Sequence, residues 1–270
     1  MLWVRSWFNV LPLRSAIDQL YAGTIPRRAL AITFDDGYSD NEAIAAPILK
    51  RLGLTATFFV ATGFIGKGCM FNDRVIEAVR MCRAERLNLT SFGLEDYGLG
   101  TQEDRRFAIA SILRGIGHRE PSARAAIAEA IATKACDLGT PAMMMSPDQI
   151  RNLRALGMDI GGHTVSHPIL TRRSTNAAFE EMKQGKTELE AILKAPVDVF
   201  AYPNGVPVQD YVAEHARMAK ECGFVAAVTT AWGAATRRTD RYQLPRFTPW
   251  GRTKFRWGAR LLANFRVPAS

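Results

Sequence analysis

Apolar runs alternate with amphipathic stretches along most of the chain. Residues 28–34 (RALAITF) and 55–61 (TATFFVA) are short, apolar and contain aromatic and β-branched side chains, which predicts two buried strands. Between them, residues 41–52 place apolar side chains at helical spacing, although Pro47 predicts a kink or a late start of the helix. A strand, a helix and a second strand in this order predict a β–α–β unit with parallel strands.

The same alternation resumes in the second half of the chain. Ser146 is a predicted N-cap for the first helix of this half. The predicted elements are helices at residues 147–156, 176–193 and 210–222 and strands at residues 158–162, 197–202, 223–229 and 242–247.

Residues 72–145 contain helical stretches and few strand signals, so we expect a helical insertion there. Strands that alternate with helices on both sides of this segment predict an α/β fold. We therefore expect a distorted or incomplete (β/α) barrel with a helical insertion at about 72–145. With no linker or internal repeat in the sequence, residues 1–270 are predicted to form a single domain.

Composition narrows the class of protein only slightly. Hydrophobic residues make up 47% of the chain and charged residues 23%, which indicates a globular protein rather than a disordered or collagen-like one. The net charge of +9 suits either a polyanionic partner or a solvated basic surface. Because the basic residues are spread out and no zinc-finger or RNP-like pattern occurs, no nucleic-acid partner is predicted.

Membrane and targeting signals are weak. The sequence has no apolar run of about 18 residues or more, so no transmembrane segment is predicted. Residues 1–20 lack an extended apolar region and a small-residue cleavage site, so no signal peptide is predicted. That slightly favours a cytoplasmic location, with a periplasmic or cell-envelope location expected if the start is truncated. The oligomeric state stays open.

Two adjacent carboxylates end the first predicted strand, in residues 33–37 (TFDDG). Asp35 and Asp36 repel each other unless a cation lies nearby. Successive side chains at a strand end diverge, so one carboxylate can bind a metal while the other faces a substrate. An Asp-Asp-Gly turn is also common on protein surfaces, so this motif alone leaves both interpretations open.

Two histidines follow a later predicted strand, in residues 161–168 (GGHTVSHP). His163 and His167 have the i, i+4 spacing that puts both imidazoles on one face of a helical turn. Two imidazoles and a carboxylate form a facial ligand set with open positions for water and substrate. Since the chain has only four histidines, this spacing favours a metal site over two surface histidines.

Two further segments are candidates for substrate contact. Residues 200–205 (FAYPNG) contain Tyr202, Pro203 and Asn204, which could offer a backbone N–H to an oxyanion and an aromatic wall to a sugar ring. The alternative is a plain turn. Near the end of the chain, residues 244–250 (LPRFTPW) combine Arg246 with Trp250, either for substrate contact or for ordinary packing.

Together these motifs resemble the polysaccharide deacetylases with a NodB homology domain, carbohydrate esterase family 4. The resemblance covers about residues 25 to 250, and TFDDG followed by HTVSH is its most specific part. FAYPNG and LPRF look most like a divergent, exopolysaccharide-associated branch. The resemblance implies a NodB-type barrel and removal of N-acetyl groups from GlcNAc-type residues of an exopolysaccharide or cell-wall glycan. The expected partner is therefore a polysaccharide or oligosaccharide.

The resemblance also implies roles for the motif residues. Asp36, His163 and His167 would bind a divalent metal, usually zinc and sometimes cobalt or nickel, and Asp35 would be the catalytic base. Many members of the family have an Arg in place of Ala201 to orient this base, and a late His as general acid that LPRF lacks. We hypothesise that Arg246 orients Asp35 from a different strand, and the general acid is unassigned.

Three departures from the family pattern keep alternatives open. The late His and the orienting Arg are missing, and either the start of the chain is truncated or the barrel lacks the strand that commonly precedes the helix at residues 13–21. One alternative is a metal-dependent amidohydrolase for a small non-sugar amide, which would need a closed pocket. The other is a catalytically silent carbohydrate-binding protein, which would bind oligosaccharide without releasing acetate.

Overall fold

The structure, a computed structural model, describes residues 1–117, 119–135, 142–248 and 253–264. The chain divides into two compact units. The first comprises Met1–Ile65 and Met145–Ser270, and the second comprises Gly66–Met144. Among the described helices, none is long and apolar enough to cross a membrane.

The helices predicted in the second half of the chain are present in the structure. The described α-helices are α1 (Leu2–Trp7), α2 (Leu13–Ala22), α3 (Ala46–Arg51), α4 (Phe71–Met81), α5 (Gln102–Gly117), α6 (Pro121–Ala135), α7 (Pro147–Ala155), α8 (Thr175–Leu193), α9 (Ala213–Glu221) and α10 (Lys254–Asn264). A π-helical turn, Asn41–Ala45, precedes α3, so the helix around Pro47 starts late, as its sequence predicts.

Strands are short. They are β1 (Asn9–Val10), β2 (Ala29–Leu30), β3 (Thr33–Phe34), β4 (Thr57–Val60), β5 (Arg86–Asn88), β6 (Asp96–Gly98), β7 (Asp159–Gly162), β8 (Val199–Ala201) and β9 (Ala226–Val228).

The first unit is built on a five-stranded parallel sheet. Its strand order is β3-β4-β7-β8-β9, and a separate parallel pair joins β1 to β2. The strands form a curled half-barrel with helices around it, which confirms the predicted incomplete (β/α) barrel. Because all five strands run the same way, their carboxyl ends meet at one edge, where ligands bind in such folds.

Packing requires glycine in the middle of this sheet. A Cβ atom on Gly161 would lie 2.3 Å from the ring of Phe59, and one on Gly162 would lie 2.9 Å from the ring of Phe224. These aromatic side chains are buried, together with Phe58 and Phe200 of the neighbouring strands. The two glycines of β7 therefore let bulky rings pack across the strand directly before the first histidine.

Three strand predictions need correction. Residues 28–34 form two strands in different sheets, because Ala29–Leu30 pairs with β1 whereas Thr33–Phe34 pairs with β4. A run of apolar residues does not reveal its hydrogen-bonding partners. The expected absence of a strand before α2 needs correction in part, since β1 lies there but pairs with β2 in a separate two-stranded sheet. The predicted strand at residues 242–247 is reduced to a bridge between Leu244 and Val228, because the N–H of Arg246 donates to Ala231 instead of continuing the ladder to Thr229.

The second unit is helical with one β-hairpin. Its core is formed by apolar side chains of α4, α5 and α6, including the fully buried Val79, Ile112 and Ile131. The antiparallel pair β5–β6 adds Leu87 and Tyr97 to this core. The helical character of this segment agrees with its sequence, whereas the hairpin was not predicted.

Candidate metal centre and active site

The candidate site lies at the carboxyl edge of the parallel sheet. Asp35 and Asp36 directly follow β3, and His163 directly follows β7. Arg246 lies just beyond Leu244, which bridges to β9 at the opposite end of the strand order. The curl of the sheet brings these two ends together. As a result, the Arg246 side chain donates hydrogen bonds to both Thr33 and Asp35.

Asp36, His163 and His167 form a compact cluster of metal-ligating atoms. The Oδ1 atom of Asp36 is 3.3 Å from the Nε2 atom of His163 and 3.3 Å from that of His167. Ligand atoms about 2.1 Å from a tetrahedral zinc ion lie about 3.4 Å apart. All three ligand atoms lie within 4.8 Å of one another, so the cluster fits a single small divalent cation.

The hydrogen bonding of the buried His163 determines which of its ring nitrogens could bind a metal. His163 is 1% exposed, and its Nδ1 atom is 2.7 Å from the carbonyl oxygen of Ala201 in β8. A carbonyl accepts only from a protonated nitrogen, so Nδ1 carries a proton and the neutral ring has its lone pair on Nε2. Burial lowers the pKa of His163, but Asp36 and Asp35 outweigh it and raise the pKa above its ordinary value.

Strained backbone occurs at two of the candidate ligands and at a residue between the histidines. Asp36 has φ 75°, Thr164 has φ 65° and His167 has φ 50°, all in the left-handed region that non-glycine residues rarely adopt. Each such residue costs about 1–2 kcal/mol. The surrounding contacts must therefore hold these turns in place, and among them Thr164 Oγ1 accepts a hydrogen bond of 3.2 Å from the N–H of His167.

Glu181, which sequence reasoning missed, supports the histidine loop from α8. Its Oε2 atom accepts the N–H of Val165 at 2.9 Å and that of Ser166 at 2.8 Å, and its Oε1 atom accepts the hydroxyl of Ser166 at 2.6 Å. One turn later on α8, a Cβ on Gly185 would lie 3.0 Å from the carbonyl of Thr164. The helix thus approaches the loop closely, and one carboxylate satisfies three donors between the two histidines.

Asp35 and Arg246 form a bidentate ion pair beside the cluster. The two guanidinium nitrogens are 2.7 and 2.8 Å from the two carboxylate oxygens, and Arg246 Nε donates to the carbonyl of Thr229 at 3.0 Å. Burial raises the pKa of Asp35, but the charge and hydrogen bonds of Arg246 outweigh it and hold the pKa below its ordinary value. The carboxylate is therefore ionised and fixed in orientation, with 32% of the Asp35 side chain exposed.

The predicted substrate contact of Tyr202 is wrong for its side chain. This ring is fully buried, stacks 4.0 Å from Tyr211, and donates its hydroxyl to the carbonyl of Tyr242. Its backbone N–H is also used, in a 3.3 Å bond to Val228. An aromatic residue next to a turn looks the same in sequence whether it faces the core or a ligand.

Pro203 is also buried and has no N–H, which leaves Asn204 as the exposed residue of this turn. Asn204 has φ 57°, and its carbonyl accepts the hydroxyl of Thr230 at 2.8 Å. Within the described part of the chain no acceptor is found for the Asn204 N–H. The last predicted contact, Trp250, lies outside the described residues.

The fold and these motifs agree with a known family. The family model described as polysaccharide deacetylase matches residues 22–227, so this chain belongs to the polysaccharide deacetylase family. The curated protein YxkH of Bacillus subtilis (strain 168) is 23% identical over 219 residues. That match covers 81% of this chain and 50% of YxkH, so the chain spans about half the length of this relative.

Solved structures show the same fold. The deacetylase PplD of Streptococcus pyogenes, solved in complex with acetate, superposes with a TM-score of 0.58 at 20% identity, covering 91% of this chain and 76% of PplD. IcaB of Ammonifex degensii gives a TM-score of 0.60 at 18% identity, with coverage of 97% and 84%. These similarities confirm the predicted NodB type of (β/α) barrel.

Proposed function

We propose that this chain is a metal-dependent hydrolase that removes N-acetyl groups from GlcNAc-type residues of an exopolysaccharide or cell-wall glycan. The observation that carries the proposal is the juxtaposition of two groups at one sheet edge. An ion-paired carboxylate, Asp35, lies directly beside the cluster of Asp36, His163 and His167. Membership of the polysaccharide deacetylase family supports the substrate class.

The proposed metal ligands are Asp36, His163 and His167. Two imidazoles and one carboxylate are a donor set of catalytic zinc sites, and cobalt or nickel accepts the same ligands. A divalent cation bound there lowers the pKa of water and polarises a carbonyl group, which is the chemistry that amide hydrolysis requires. The carbonyl of Ala201 fixes the ring of His163, and Glu181 fixes the loop that carries His167.

Asp35 is the proposed general base. Held ionised by Arg246, it takes a proton from the attacking water, whose oxygen bonds to the acetyl carbon. The N–H of Asn204 is the proposed donor to the developing oxyanion. When the carbon–nitrogen bond breaks, the amine takes up the proton that Asp35 has held, so a free amine and acetic acid result, and the acid then loses its proton to solvent as acetate. In this scheme Asp35 takes over the task of the missing late histidine.

Acetate release tests this function. We expect the chain reconstituted with zinc to release acetate from N-acetylglucosamine oligomers, and an Asp35→Asn variant to keep its zinc while losing about 10²- to 10⁴-fold in rate. His167→Ala should instead lose zinc, as measured by elemental analysis. The matched control is Asp40→Asn, an exposed carboxylate at the start of the π-helical turn that follows, without a capping hydrogen bond. Full activity of Asp35→Asn would contradict the assigned base.

A further inference from the structure

Helix α10 packs on the first unit through one face. Leu261 and Asn264 are buried, and the Asn264 side chain exchanges two hydrogen bonds of 2.9 Å with the backbone of Gly233. The Trp257 ring lies 4.8 Å from the ring of Trp3 in α1. This inner face fixes the orientation of the helix and its contact with α1.

The opposite face of α10 is apolar and exposed. Phe255 is 85% exposed and Leu262 is 66% exposed. Residues seven apart lie about 20° from each other around a helix axis, so both side chains project in the same direction. Ala259 lies between them and is also exposed. We call these three residues the outer face of α10. In α1, Leu2 is 71% exposed and Trp7 is 53% exposed.

Cations accompany these apolar side chains, and anions do not. Helix α10 contains Lys254, Arg256 and Arg260, and α1 contains Arg5, while neither helix contains Asp or Glu. In the sequence, residues 1–17 and 241–270 contain no acidic residue. A helix that is apolar on its exposed side and bordered by basic side chains has the composition of a helix that lies in a membrane interface.

We propose that the outer face of α10 docks on an anionic membrane surface. Phe255 and Leu262 would enter the boundary between headgroups and acyl chains, while Lys254 and Arg256 contact anionic headgroups. Apolar burial and charge attraction then act on the same face of the protein. This inference does not depend on the deacetylase activity.

Two other occupants fit the surface less well. A second copy that docked about a two-fold axis would bring the same cations of α10 opposite each other, and like charges across an interface are unfavourable. An acidic polysaccharide would match the charge, but it offers only the small C–H faces of its sugar rings and no acyl chains in which Leu262 could be buried. An anionic membrane supplies both components.

Vesicle co-sedimentation of the full chain tests the proposal. We expect binding to vesicles of phosphatidylcholine with about one third phosphatidylglycerol, and little binding to phosphatidylcholine alone. Phe255→Ser/Leu262→Ser should weaken binding at least about tenfold. Lys254→Gln/Arg256→Gln should weaken it as well, and wild-type binding should fall as salt shortens the screening length from about 10 Å at 0.1 M to about 3 Å at 1 M.

Phe107→Ser is the matched control, because Phe107 is 65% exposed on α5 of the second unit. It should leave vesicle binding unchanged, and unchanged melting temperatures should show that all variants fold. Equal binding by wild type and Phe255→Ser/Leu262→Ser would overturn the proposal. So would a wild-type chain that ignores vesicles but forms a dimer that this double variant abolishes, or one that binds acidic polysaccharide and no vesicles.

Discussion

At the scale of single residues, the ion pair between Asp35 and Arg246 shows how the proposed general base is held in a chain that lacks the Arg of many family members at position 201. Ala201 occupies the position where many members carry the orienting Arg, and it offers only its backbone carbonyl, to His163. Arg246 reaches Asp35 from the other end of the strand order and binds both carboxylate oxygens. A bidentate pair fixes direction as well as charge.

Replacing Arg246 should therefore change both rate and pH dependence. Arg246→Gln removes the charge and hydrogen bonds that hold the pKa of Asp35 below its ordinary value, so that pKa rises. Because the base must be ionised, the acidic limb of kcat/KM should move to higher pH. Loss of orientation should lower kcat about 10²-fold.

The control for this variant is Arg238→Gln, which removes an exposed guanidinium from the loop that precedes Leu244. It should leave the pH profile unchanged. An Arg246→Gln enzyme with wild-type rate and an unshifted acidic limb would show that the pair does not orient the base.

Sequence reasoning was effective for residues whose chemistry is unusual and weak for residues whose environment decides their role. Two histidines at ligand spacing in a chain with only four are unusual enough to single out, whereas the aspartate pair gains meaning only beside them, and the structure brings Asp36, His163 and His167 together. Tyr202 was misplaced because an apolar aromatic ring gives no sign of which side it faces. Glu181 gave no signal, since a glutamate on an amphipathic helix normally indicates a solvated face.

At the scale of secondary-structure elements, α8 acts as a support for the histidine loop. Glu181 accepts three hydrogen bonds from Val165 and Ser166, in a segment where Thr164 and His167 both have positive φ. A carboxylate that accepts backbone N–H groups makes charge-assisted bonds, which are stronger than neutral ones. These bonds offset the cost of the strained turn.

Glu181→Gln should loosen this loop. An amide retains one acceptor oxygen, so we expect at least one donor to lose its partner, at a cost of about 1–3 kcal/mol. If that cost falls on the loop geometry, zinc affinity should fall by about 5- to 150-fold. Competition with a fluorescent zinc chelator measures this change.

The neighbouring Glu180 is exposed on the same helix, so Glu180→Gln is the matched control and should bind zinc as the wild type does. A purely structural role for Glu181 would lower the melting temperature of the metal-free chain without changing zinc affinity. That result would contradict a positioning role.

Elements were predicted well where periodicity extends over several turns. The positions of α7, α8 and α9 follow from their apolar spacing, and the Ser146 capping box marks the start of α7. The two-residue strand β1 carries too little pattern to be recognised. The split of residues 28–34 depends on which strand supplies the hydrogen-bonding partner, which is information outside the segment.

At the scale of the whole molecule, the two units have separate hydrophobic cores. The core of the second unit contains Ile112 and draws only on residues of that unit, whereas Ile150 belongs to the main core of the first unit. The sequence predicts a single domain with a helical insertion. Separate cores instead suggest that each unit has its own unfolding transition, which is a testable difference.

Zinc and a core substitution in each unit distinguish these possibilities. Ile112→Ala and Ile150→Ala both truncate fully buried side chains, at a cost of about 2–5 kcal/mol each. A ligand stabilises only the folded unit that binds it, and Asp36, His163 and His167 all lie in the first unit. In calorimetry, Ile150→Ala and Ile112→Ala should therefore each lower the temperature of a different transition. Zinc should raise the temperature of the transition that Ile150→Ala lowers, and it should leave the temperature of the other transition unchanged. The contrary result is a single transition whose temperature responds to zinc and to both substitutions. It would mean that the insertion unfolds as part of one cooperative domain, because stabilisation at the proposed metal site would then be transmitted to the core around Ile112.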